Sequence, residues 1–177
     1  MSSFTLPAAV MTALLTGLMI ACLGPVNSLL QARIGTWSML TVVHLLGLGV
    51  AIVGFCLAQP TPLGTPGDWT RPLLLVLLVG VLGALLLLAR SVGSTLPAFA
   101  WWGGALGLLV VVGTVQAIGV LGAVRAVLLI ILAELVGAAL IDTFGLFGRP
   151  VLPLNPGRIA GLLLVLGGAL LTLQAGT

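Results

Sequence analysis

The chain has 177 residues, of which nine carry a formal charge (six Arg, no Lys, three acids), while 60% are hydrophobic. A soluble domain carries about a quarter charged residues, so a soluble globular fold is excluded. Six arginines scattered over five loops make no basic face, which also excludes nucleic-acid binding.

The apolar residues come in long blocks, such as 73–89, and a stretch of about 20 is what a helix needs to cross a bilayer. In lipid every backbone polar group must be satisfied internally, by a helix or a closed barrel. Blocks apolar on every face, not alternating ones, select helices. The expectation is an all-α polytopic membrane bundle: one transmembrane domain over 1–177, with spans near 6–31, 38–58, 72–90, 97–119, 124–142 and 156–175. The bilayer is its first partner. No length is left for an extramembrane domain that could hold a soluble active site.

Span one is interrupted by Gly24-Pro25, where proline removes the hydrogen bond to the Ala21 carbonyl and clashes with that turn, so a kink is expected. A polar last turn follows, with Asn27, Ser28 and Gln31, and the chain turns at Gly35 to re-enter at Trp37. Span two carries His44. The loop over 59–71 is turn chemistry, with Pro72 placed where a helix starts. Span three is Leu and Val all round, and reads as lipid-facing or packing.

Pro97 and the Trp101-Trp102 pair open span four, and a tight turn near 119–122 makes spans four and five antiparallel neighbours. Span five ends at Asp142, which is read as a loop anchor pairing with Arg149. In the loop over 143–155, Asn155 then Pro156 reads as an N-cap and first-turn pair opening span six. Loops after odd-numbered spans hold Arg33, Arg90, Arg149 and Arg158, against Arg71 and Arg125 after even-numbered ones. That balance puts the odd loops inside and both termini outside.

A charge at the centre of a membrane helix costs about 2.5–3.5 kcal/mol on insertion scales, so polar groups at depth are the informative residues. Glu134 lies nine residues after Arg125, about 13 Å into span five. Desolvation disfavours the charged form of a carboxyl, so Glu134 is read as a group able to take up and give back a proton. The same group suits an organic cation. His44 could relay protons, Asn27 and Gln31 could line a polar cavity after the kink, and Gln116 is a further candidate. For each, the alternative is an interhelical hydrogen bond with no part in transport.

Gly24 and Pro25 read as a hinge, and Gly103 with Gly107 as a small-xxx-small packing pair. Cys22 and Cys56 lie inside spans, without metal-ligand or disulfide spacing. No metal, cofactor or catalytic residue is expected, and no enzyme motif is present.

The run Trp101-Trp102-Gly103-Gly104-Ala105-Leu106-Gly107 is followed by Leu140-Ile141-Asp142-Thr143-Phe144-Gly145-Leu146-Phe147-Gly148 and a glycine-rich 157–173. With Pro25, Asn27, Ala32-Arg33-Ile34-Gly35 and His44-Leu45-Leu46-Gly47, these resemble the YdcZ-type small transporters of the drug/metabolite transporter superfamily. The resemblance covers about 1–58 and 97–175, leaving an added block containing span three. It implies a five-span half-transporter pattern plus one extra span. It also implies Gln in relatives at the Glu134 position, so that an obligatory proton-coupling carboxylate is not a family feature.

The resulting expectation is a small secondary transporter, or half of one, in the bacterial inner membrane. It would move a small organic solute, with a cation favoured and proton coupling included, as a homodimer or paralogous heterodimer. The alternative is a noncatalytic membrane subunit that stabilises or localises a partner.

Overall fold

The computed structural model describes residues 5–58, 69–92 and 97–175. Among these, the chain forms six α-helices: α1 (Leu6–Ile34), α2 (Thr36–Ala58), α3 (Thr70–Val92), α4 (Gly103–Leu121), α5 (Ala123–Phe144) and α6 (Pro156–Ala175). Short 3₁₀ turns at Ala98–Trp102 and Leu146–Gly148 lead into α4 and out of α5. α1, α2, α3, α5 and the segment Ala98–Leu121 are long and apolar enough to cross a membrane, and Pro156–Thr172 is a shorter apolar helix. The expected all-helical membrane fold is present. The turn chemistry expected over 59–68 lies outside the described residues.

α1 runs from Leu6 to Ile34 with Pro25 inside it, a single span as expected. Proline forfeits one backbone donor, and a helix of 29 residues keeps its other turns. The stop comes at Gly35, whose φ of +78° is open to glycine and strained for other residues. Its N–H closes the last turn on the Gln31 carbonyl, and its own carbonyl accepts from Met39 in the first turn of α2. Gly122, with φ +77°, makes the equally tight link from α4 to α5.

The chain divides into two compact units. The first comprises residues 1–25 and 109–177, and the second residues 26–108. In the first unit the core is built from small side chains: Ala13, Ala117 and Ala126 are fully buried beside Ile130, with Ile20 and Leu129 packed around them. Gly17 explains the closeness of α1 to α5, since a Cβ there would collide with the Ile130 carbonyl oxygen and crowd the Glu134 backbone nitrogen. A Cβ on Gly137 would meet that of Ala21 at 2.9 Å. Thr16 is buried, donates to the Thr12 carbonyl at 2.7 Å and packs on Gly113. Hydrocarbon gives helices no hydrophobic reason to associate, so close approach through small residues supplies the packing energy. In the second unit α2 packs on α3, and Leu30, Met39 and Val42 form a core with Leu85, Leu88 and Trp101 around it.

The link from α5 to α6 is clasped. Gly145 caps α5 in the left-handed region, its N–H on the Ile141 carbonyl. Asn155 caps α6, accepting from the Arg158 N–H at 2.8 Å, as its position before Pro156 led one to expect. Asp142 pairs with Arg158 where Arg149 was expected, because Arg158 sits one turn into α6 and reaches back to the end of α5. Leu152 is held from both sides: its N–H donates to the Asp142 carbonyl and its carbonyl accepts from Arg158 Nη1.

The two side chains of this pair are 36% and 25% exposed, so solvent screening keeps its value small. A double-mutant cycle over Asp142→Asn and Arg158→Gln is expected to give a coupling of about 1 kcal/mol, read from unfolding midpoints in detergent.

Candidate functional site

The residues singled out in the sequence fall in both units: Gln116 and Glu134 in the first, Asn27, Gln31 and His44 in the second. Each is placed by its own helix.

Glu134 flanks the packed face of α5. The buried stripe of that helix is Ala126, Ile130, Ala133, Gly137 and Ile141, and Glu134 lies about 60° round from its centre. The backbone of Glu134 is pressed against Gly17 of α1, while its side chain is half-buried. Among the described residues its carboxyl has no hydrogen-bond or ion-pair partner. Gln116, on α4, is exposed.

Two polar groups of the second unit are buried with no hydrogen-bond partner among the described residues, Arg71 Nη2 and Asn27 Oδ1, and the latter packs on Gly103. Leaving a buried acceptor unmet costs about 1–3 kcal/mol. Gln31 is exposed and donates to the Thr36 hydroxyl at 3.0 Å, bracing the α1–α2 turn. His44 is also exposed, with Nδ1 2.7 Å from the Leu40 carbonyl. When Nδ1 carries the proton that donates there, Nε2 is left as an outward-facing acceptor. Thr41 shares this exposed side of α2 and turns its hydroxyl back on the Trp37 carbonyl. Asn27, Gln31 and His44 thus differ in setting: one is enclosed, one braces a turn, and one faces outward.

The hinge and packing residues separate as well. Added side-chain atoms at Gly24 and Gly107 would meet open space, whereas at Gly103 they would strike Asn27 Oδ1. Gly104 is the closer contact: a Cβ there would collide with the Val43 carbonyl oxygen of α2 and with Leu46 and Gly47. The working pair is therefore Gly103-Gly104, not Gly103 with Gly107. Adjacent glycines expose backbone on two sides of one turn, and α2 and Asn27 take one each. The Trp-Trp-Gly-Gly run held this signal, but a GxxxG template passes over it.

The family model described as "Putative inner membrane exporter, YdcZ" matches residues 8–171. The chain belongs to the YdcZ family. The matched range takes in the 60–96 block as well as the motifs on either side. Membership makes this a multi-pass inner-membrane protein of an exporter family. No curated protein and no solved structure matches the chain.

Gly104→Ala is expected to lower stability by about 1–3 kcal/mol, because the colliding atoms are backbone and cannot turn aside. Gly107→Ala should be neutral or stabilise by up to about 1 kcal/mol, through helix propensity alone. Midpoints of unfolding in mixed detergent compare the two.

Proposed function

We propose that this YdcZ-family protein exports a small organic cation in exchange for protons, with Glu134 as the shared binding group. The observation that carries the reading is a half-buried carboxyl in the middle of a membrane helix, with no partner among the described residues. A carboxylate of this kind is stabilised either by a proton or by a cation, and one excludes the other. Competition for a single site couples the two fluxes without any further device, provided that the site faces the two sides of the membrane in turn.

Within the second unit, Asn27 offers an acceptor without a partner among the described residues. His44 and Gln116 lie on exposed sides of their helices, where contact with lipid would be unfavourable, which favours a two-subunit carrier whose polar surfaces face one another. Pro25, at the edge of the first unit, marks a place where α1 can bend during the cycle.

Purified protein mixed with a panel of small organic cations in weakly buffered detergent solution provides the test. Wild type is expected to release protons on binding at least one of them, about one per bound cation if Glu134 is the shared group. Glu134→Gln is expected to release none and to bind that cation at least tenfold more weakly, about 1.4 kcal/mol. Equal proton release by the two proteins would remove Glu134 from the mechanism.

A further inference from the structure

The chain passes between its two compact units twice, at 25–26 and at 108–109. Boundaries between compact units usually fall in exposed linkers, yet both passages here lie inside helices, α1 and α4. Each helix is gripped by one unit before its passage and by the other after it. In α1, Gly17 is pressed on the α5 backbone in the first unit. Leu30 is buried with Met39 and Val42 in the second. In α4, Gly104 is pressed on the α2 backbone in the second unit, and Gly113 lies against Thr16 in the first.

Between these grips each helix has a weak turn. Pro25 stands at the passage in α1, directly after Gly24, and has no N–H to give the Ala21 carbonyl. Gly107 directly precedes Leu108 at the passage in α4. Added side-chain atoms at Gly24 or Gly107 would meet open space, so close packing does not account for either glycine. Each makes its helix easier to bend than alanine would. The depths agree as well. Pro25 is nine residues from the end of α1 at Ile34, and Gly107 is nine residues from the start of the fourth span at Ala98. Successive spans cross in opposite directions, so these two ends are at one face of the membrane. Both weak turns lie about 13–16 Å from it.

We propose that Gly24-Pro25 in α1 and Gly107 in α4 are the two halves of one hinge, on which residues 26–108 turn as a body against the rest of the chain. A hinge needs only a few residues that absorb a backbone change, and two of them at equal depth favour bending about an axis in the membrane plane. Its use in transport rests on the proposed exchange at Glu134, which needs a site that faces the two sides of the membrane in turn. The hinge itself rests on the two helices alone.

Distances between pairs of nitroxide labels, measured by pulsed electron paramagnetic resonance, test this. The labels are placed on introduced cysteines after the free Cys22 and Cys56 are replaced by Ser. One pair joins the units, at Leu57 and Val124, and a control pair stays within the second, at Leu57 and Val76; all three positions are exposed. In wild type the first pair is expected to show two distances and the control pair one. Gly107→Ala and Pro25→Ala, each of which strengthens a helix, should each shift the ratio of the two distances at least about fivefold. Gly119→Ala fills equally open space elsewhere in α4, within the first unit, and should leave the ratio within about twofold. A single distance for the first pair in wild type overturns the proposal. So does an unchanged ratio in either hinge variant, or an equal shift in Gly119→Ala. No solute enters the measurement, so its outcome is independent of proton release through Glu134.

Discussion

The structure depends on how closely its helices approach. In hydrocarbon an apolar side chain gains nothing by leaving lipid for protein, so dispersion contacts between well-fitted surfaces must hold the bundle together. Here the fit is made by residues with almost no side chain. Gly17 lets α1 meet the backbone of α5, and Gly104 lets α4 meet the backbone of α2. The fully buried alanines at 13, 117 and 126 complete the same pattern within the first unit. Leucine and valine, which dominate the composition, are left mostly on the outside of the helices.

Polar groups are arranged around this packing in distinct ways. Thr16 is buried but returns its hydroxyl to its own helix, so it costs little and fixes the fit against Gly113. Asp142 and Arg158 satisfy each other at a helix end. Asn27 Oδ1 and the Glu134 carboxyl have no partner among the described residues, and both residues sit at a glycine contact: Asn27 against Gly103, and Glu134 with its backbone nitrogen against Gly17. Placing an unmet polar group where the backbone packs most tightly gives it a fixed position. A fixed, unmet group is what a binding site requires, and the proposed exporter mechanism uses Glu134 in that way.

The sequence was readable wherever one physical rule dominated. Hydropathy blocks located the helices, because length and apolarity suffice to name a span. The Asn155-Pro156 start of α6 was legible because capping is local, and Gly35 was legible as a turn. Two features were not. The partner of Asp142 was sought in the nearest loop arginine, while the helix geometry brings Arg158 back instead. Among 25 glycines, the ones that touch another helix differ from the rest only in three-dimensional position, so Gly107 and Gly104 could not be ranked by pattern.

The central claim is that Glu134 is a working group reached by water and solute, not a carboxyl sealed between helices. Its most direct test is thiol access at that position. Cys22 and Cys56, both free, are replaced by Ser, Glu134 by Cys, and intact vesicles are treated with a membrane-impermeant maleimide. The account predicts labelling from at least one side of the membrane, slowed by the cation that triggers proton release in wild type. A thiol that stays unlabelled from both sides, yet reacts once the protein is unfolded, would show a sealed carboxyl and contradict the account.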